Sequence, residues 1–184
     1  MPFLNFSDRR RRERIAHGLY IAIVEQARRP EFYVERAVPD TLDGRFDLIV
    51  LHAFLVLHRL KSAGGKDAKA VSQAVFDLMF ADMDQNLREM GIGDMGIGKR
   101  VKQMTWAFYG RVTAYEEGLA DAVGDTLAAA LARNLYGSLA APPEGEVLAA
   151  MAAYLRRQVA ALAAQDDAAL LDGRVGFGDV IGHD

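Results

Sequence analysis

Residues 82–100 read DMDQNLREMGIGDMGIGKR, and the fold turns on whether a strand or a helix leads into their glycines. Upstream, Val71, Val75 and Leu78 fall on one helical face and Phe76, Phe80, Met83 and Leu87 on the adjoining one. That spacing of three and four predicts a helix to about Met90, which Gly91 ends. Downstream, Val101, Met104, Phe108, Val112, Tyr115 and Leu119 recur at helical spacing, so the next helix begins near Ile97 or Gly98. Gly110 inside it predicts a close helix crossing, because glycine there otherwise costs about 1 kcal/mol relative to alanine. The stretch is a helix end, a glycine corner and a helix start, with Ile92, Met95 and Ile97 expected to pack inward.

Two phosphate-loop patterns lie in the corner and both fail. Residues 91–96 satisfy GxGxxG, and residues 93–100 read GxxxxGKR. Each pattern needs a strand before its glycines, so that the sheet edge aims backbone N–H groups at the phosphate, and here a helix comes first. The second also sets Arg100 where a hydroxyl must hold Mg²⁺, and Asp94 inside the loop would repel phosphate.

Charge is dense around the same corner: Asp82, Asp84, Glu89 and Asp94 against Arg88, Lys99 and Arg100. Between two apolar segments such charges need partners. A helix capped by Asp40 or Thr41 and running to about Lys61 offers them. Phe46, Ile49, Val50, Ala53, Leu57 and Leu60 form its core face, and Leu48, Leu51 and Leu55 extend the apolar surface round another side, so it is mostly buried. Arg45, His52 and Arg59 follow at intervals of seven and stack in one stripe. The expected partners are Asp82, Glu89 and Asp94, either as a structural ion-pair network that fixes register or as the polar floor of a binding groove.

Further out, Ser7 or Asp8 is placed to cap a first helix built on Ile15, Leu19, Ile23 and ended by Pro30. Before it stands FLNF, an aromatic stub over residues 1–7, and Arg9, Arg10, Arg11 and Arg12 follow. Charge runs usually mark solvated helix faces; the other reading is a contact with ribosomal RNA or anionic lipid. Two more helices use Leu127, Leu131, Leu135 and then Val147, Met151, Leu155, Val159, Leu162. The tail from Asp172 carries four glycines and is expected to be extended or mobile. These elements predict an all-α single-domain bundle of about six helices over residues 8–165, with a mobile glycine-rich acidic C-terminal tail at 166–184.

At 184 residues, 51% hydrophobic and 26% charged, the chain fits one soluble globular domain. It has no cysteine, which removes disulfides, thiol nucleophiles and thiolate metal sites. The longest apolar run, residues 48–57, is interrupted by His52 and is too short to span a membrane. No secretory signal precedes it, so the expected location is cytoplasmic, with peripheral attachment to the inner face of the membrane as an extension of the basic N-terminus. A net charge of −3 is too small to imply a partner by itself, although bases gather at the N-terminus and acids in the last twenty residues, and no DNA partner is expected.

Catalytic and metal patterns are weak. Asp82 and Asp84 diverge by about 200° on a helix, which favours salt-bridged structure over a Mg²⁺ site. His17, His52, His58 and His183 form no HExxH and no close pair, and His52 reads as a satisfied core histidine. No metal, cofactor or catalytic residue is expected. Met79, Met83, Met90, Met95 and Met104 do gather around the corner, and thioethers suit surfaces that adapt to apolar helices; a core role is the commoner one for such a group. Trp106, Phe108, Tyr109 and Tyr115 form an aromatic patch, mostly core.

Three segments together resemble the ubiquinol–cytochrome c chaperone family: residues 38–60, residues 82–104 and residues 107–115. The pattern is carried by Arg45-Phe46, Leu51-His52, Asp82, Asp84, Leu87-Arg88-Glu89, Gly91, Asp94, Gly98-Lys99, Tyr109-Gly110-Arg111 and Tyr115. The resemblance covers residues 8–140, and little after Pro142 contributes to it. It implies a non-enzymatic chaperone that binds nascent cytochrome b and assists assembly of the bc1 complex, with the ribosome or an anionic inner-membrane surface as a second contact and a monomer as the favoured state. The client-binding residues expected on that basis are Met83, Leu87, Met90, Met104 and Phe108 as groove lining, with Arg45, Arg88 and Arg111 orienting the client. Two alternatives stand beside it. A lipid- or quinone-binding helical protein would show a closed apolar pocket, and a small helical interaction protein would show no groove.

Overall fold

The computed structural model describes residues 2–91 and 93–182, with backbone alone for residues 2–6, 94 and 95. Its elements are α1 (Pro2–Ala27), α2 (Glu31–Val34), α3 (Leu42–Ala63), α4 (Gly65–Glu89), α5 (Asp94–Ala120), α6 (Thr126–Asn134), α7 (Gly145–Ala163) and α8 (Asp167–Leu170), with no strand among the described residues. The fold is all-α. Its six long helices are the expected ones, and α2 and α8 are single turns added between them.

Helix α3 is the axis. Thr41 caps it, its hydroxyl accepting from the Gly44 N–H at 3.1 Å, and Pro39 two residues earlier keeps the preceding chain extended. Its apolar residues divide between two cores. Leu48, Leu51, Phe54 and Leu55 pack with Phe32, Tyr115, Leu131 and Tyr154. Val50, Ala53, Val56 and Leu60 pack with Leu19, Ile23, Val71 and Met79. Thus α1 and α4 cover one side of α3 and α7 the other, while α6 joins α7 to α5 and α5 returns to α4. A helix with core on both sides has room for few polar side chains, and the three of the basic stripe on α3 are each held by a specific partner.

Those partners differ from the expected ones. Arg45 is exposed and pairs with Asp40 at 2.7 Å, in front of its own helix. His52 is fully buried between Leu48 O (2.7 Å) and the Tyr154 hydroxyl (2.8 Å) of α7. Arg59 donates to Leu162 O (2.8 Å) and Gln165 O (2.7 Å) and pairs with Asp167, closing the C-terminal end of α7. The acids are satisfied elsewhere: Asp82 accepts from the Tyr20 hydroxyl (2.8 Å), Asp84 from Arg88 (2.6 Å) and Glu89 from Gln85 (2.8 Å). No network joins the basic stripe to the acidic corner among the described residues, and the Asp94 side chain lies outside them. The reason is geometric. A seven-residue step drifts by about 20° per repeat on a straight helix, and residues that span four turns of α3 meet different neighbours.

Three further expectations are corrected. Among the described residues helix α1 begins at Pro2, so Ser7 and Asp8 lie inside the helix and do not cap it; the side chains of Phe3 and Phe6 are outside the described set. The tail is extended but held. Gly178 N donates to Gln158 Oε1 (2.9 Å), Gln26 donates to Gly178 O (3.1 Å), and Gln165 pairs with both the N–H (2.9 Å) and the C=O (2.6 Å) of Gly176. Val180 is buried, and the Phe177 ring meets His52 edge-on at 5.3 Å. The glutamines satisfy the tail backbone that glycine-rich sequence would otherwise leave to water. Finally, Gly110 faces open space, whereas a Cβ on Gly118 would lie 2.7 Å from Leu127 Cα, so the close crossing of α5 and α6 occurs at Gly118.

At the corner, Gly91 takes φ +79°, the left-handed cap that glycine adopts without strain, and its N–H returns to Arg88 O at 2.9 Å. Helix α5 then starts at Asp94, three residues earlier than its periodicity indicates, and Ile97 is buried; Ile92 and the Met95 side chain are outside the described residues.

Candidate groove between α3, α4, α5 and α6

Because Gly91 reverses the chain, the last turns of α4 and the first half of α5 diverge from a shared corner and leave a groove of about 620 Å³. One wall is the face of α4 that carries Met83, Asn86, Leu87 and Met90, spaced three, four and seven apart. The facing wall is the α5 stripe Arg100, Gln103, Met104, Ala107 and Arg111. The first turns of α3 close the bottom with Leu42, Asp43, Phe46 and Asp47, and the end of α6 closes one side with Arg133 and Asn134.

The α4 wall is largely apolar and adaptable, whereas the α5 wall mixes Met104 and Ala107 with Arg100, Gln103 and Arg111. Met83 and Leu87 are nearly buried, but Met90 is 50% exposed and Leu42 57% exposed, so thioether and isobutyl groups stand at the mouth. Methionine side chains follow the shape of varied apolar partners at little conformational cost. The polar floor contrasts with them. Arg111 donates Nη2–H to Asp47 Oδ1 at 2.7 Å, and both side chains are largely withdrawn from water. Burial pushes the Asp47 carboxyl up to about 7, against the pull of the Arg111 guanidinium and with a smaller push from Asp43. One turn beyond Arg111, Tyr115 is fully enclosed, lies tilted against Phe54 with ring centroids 5.4 Å apart, and has its hydroxyl held strongly in the protonated form by burial.

Of the expected client-binding residues, Met83, Leu87, Met90, Met104 and Arg111 line this one groove. Phe108 does not. It is 2% exposed and packs edge-on to Phe76 at 5.4 Å in the core. Arg45 and Arg88 also lie outside it, held by Asp40 and Asp84. Sequence reasoning missed Asp47 and the α6 contribution of Arg133. Asp47 was visible as the single acid within the apolar run of α3, a signal as strong as His52 on the same helix.

On another face of α5 a smaller groove of about 410 Å³ runs beside Leu57, Phe76 and Tyr109, while Trp106, 72% exposed, projects from the helix between the two. No group of three or more His, Cys, Asp or Glu among the described residues is arranged to hold a metal ion. No helix of the described residues is long and apolar enough to cross a membrane. Among the described residues lining the groove no nucleophile is hydrogen-bonded to a base, and what the lining offers is apolar surface with guanidinium and carboxyl groups.

The profile of the family described as ubiquinol-cytochrome C chaperone matches residues 34–177. The ubiquinol-cytochrome-c reductase complex assembly factor 1 of Xenopus laevis is 32% identical over 155 residues, which are 83% of this chain and 74% of the frog protein. The Homo sapiens protein of that name is 31% identical over 142 residues, 77% of this chain and 46% of its own length, so the chain spans about half of the human relative. Among solved structures, the Cbp3 homolog from Brucella abortus is 38% identical and covers 98% of both chains at a TM-score of 0.82.

Proposed function

The chain belongs to the ubiquinol–cytochrome c chaperone family, whose members are chaperones and not enzymes, and from that premise we propose that it assists assembly of the ubiquinol–cytochrome c reductase complex by holding newly made cytochrome b in the α3–α6 groove. The observation that carries the proposal is the convergence of Met83, Leu87, Met90 and Met104 on a single open furrow with a charged floor. Cytochrome b is a bundle of membrane helices, and before insertion such helices expose apolar faces that need a covering partner of variable shape. Arg111 gives the furrow an orienting charge at its floor. Arg45 and Arg88, each tied to a neighbouring acid, contribute at most to the surrounding surface.

The test is genetic and spectral. Cells lacking the gene should lose the haem b absorption of the bc1 complex, and the unaltered chain should restore it. A chain with Met90→Asp and Met104→Asp should fold, since both side chains are partly solvated, yet fail to restore the spectrum. Full restoration by that variant would remove the groove assignment, and normal haem b in the deletion strain would remove the function.

A second contact is proposed for the N-terminus. Residues 7–14 of α1 are all exposed, which leaves the stretch from Arg9 to Arg12 facing water although Arg9 also pairs with Glu13. Docking on ribosomal RNA or on the anionic inner face of the membrane would draw on these charges, and would place the chaperone where cytochrome b emerges. Changing all four arginines to serine should flatten the salt dependence of binding to whichever surface is used. Parallel assays with ribosomes and with vesicles containing phosphatidylglycerol identify it, and an unchanged salt slope on both refutes the contact.

A further inference from the structure

The groove floor holds a hydrogen-bond donor that is not used. Arg111 spends Nη2–H on Asp47, but its buried Nε–H has no acceptor among the described residues. A buried donor without an acceptor is costly, and the cost is recovered when an acceptor arrives. Charge points the same way. Arg100 and Arg133 stand on the walls above Arg111, so three guanidinium groups face the groove against the carboxyls of Asp43 and Asp47. A guanidinium fork is suited to a carboxylate, which can accept two N–H groups at once.

We propose that the groove selects, among apolar helical segments, one that carries a carboxylate within its apolar face, and that Arg111 receives this group with Arg100 and Arg133 as the outer attraction. The inference rests on the client-groove reading and goes beyond it in naming what the client must present. Burial disfavours the charged form of Asp47, which lessens its competition for Arg111 when a second carboxylate arrives. An ammonium in the same place would meet three like charges and two carboxyls, one of which burial already disfavours in its charged form.

The experiment uses three leucine–alanine helical peptides on a neutral polyethylene glycol tail, identical except for a central Glu, Gln or Lys. The chain has no cysteine, so Met90→Cys labelled with an environment-sensitive dye reports arrival in the groove without background. The Glu peptide should bind about 10-fold tighter than the Gln peptide, the scale of one charge-assisted hydrogen bond, and the Lys peptide weakest. The two halves of the ion pair should then move the Glu-to-Gln ratio in opposite directions: Arg111→Gln brings it near one, and Asp47→Asn raises it. A purely structural pair would weaken both peptides equally. Should Arg111→Gln fail to fold, Arg133→Gln and Arg100→Gln on the groove walls carry the test, each lowering the ratio by about 3-fold. If the Glu and Gln peptides both reach the dye and bind alike, the carboxylate preference is wrong while the groove stands. If no peptide reaches the dye, the groove reading fails and takes this inference with it.

Discussion

The buried histidine of α3 makes a quantitative prediction. His52 Nδ1 faces a carbonyl, Leu48 O, which can only accept, so Nδ1 carries the proton and Nε2 accepts from the Tyr154 hydroxyl. Tyr154 in turn accepts from Gln26 at 3.0 Å. Protonating His52 would add a second donor against Tyr154 and leave the phenolic proton without an acceptor, in a pocket closed by Phe32 and Phe177. Burial accordingly pushes the imidazole from 6.5 down to about 4. Since the folded value lies below the unfolded one, the unfolded chain binds more protons between them. The stabilisation is complete above pH 6.5 and declines as pH falls toward 4. The whole difference is worth about 3 kcal/mol, most of which is lost between pH 7.5 and 4.5. Urea unfolding followed by circular dichroism, on the natural chain and on His52→Gln, isolates this group, because every other titrating side chain is common to both. The gap between the two proteins should narrow by roughly 2–3 kcal/mol over that range, whatever the substitution costs at pH 7.5. A gap that stays constant, or widens in acid, would show that His52 is not the neutral link between α3 and α7.

Other perturbations read the packing directly. Gly118→Ala drives a methyl against the Leu127 backbone and should lower stability by about 1–3 kcal/mol, whereas Gly110→Ala, in open space on the same helix, should raise it by about 0.5–1 kcal/mol; thermal melts of the pair decide whether the α5–α6 crossing is where we place it. Arg59→Met should cost about 2–3 kcal/mol by leaving Leu162 O and Gln165 O without their donor, seen as a lower urea midpoint at unchanged slope. Ending the chain after Asp172 removes buried Val180 and the Phe177 contact, a loss of about 3 kcal/mol that should lower Tm by roughly 10 °C and expose the amide of His52 to hydrogen exchange.

Much of this was legible in the residues, and what escaped has a common cause. Periodicity names the face of a helix but not what stands opposite. Met83, Leu87 and Met90 share one face of α4, Met104 and Arg111 share one face of α5, and the glycine corner ensures that the two helices are neighbours; their meeting in one groove followed from local rules. Arg45, His52 and Arg59 share a stripe as well, yet their partners come from residues 40, 154 and 167, and no local rule relates α3 to α7. Phe108 sits between the two readings: one turn from Met104, it is rotated far enough to reach the core instead of the groove. The tail illustrates the same limit. Its glycines indicate freedom, while the glutamines at 158 and 165 that remove that freedom lie on α7, where sequence gives no sign that an extended strand will lie alongside. Gly110 and Gly118 are indistinguishable in sequence, and only the approach of Leu127 separates them.

The central claim is that an apolar client segment lies between α4 and α5. A photoreactive benzophenone side chain introduced singly at Met90, Met104 or Trp106, with irradiation while cytochrome b is being synthesised, tests it most directly. The account predicts cytochrome b adducts from positions 90 and 104 and none from 106, although Trp106 is the more exposed side chain. Capture from position 106 equal to that from the groove, or no capture from 90 and 104, would contradict it.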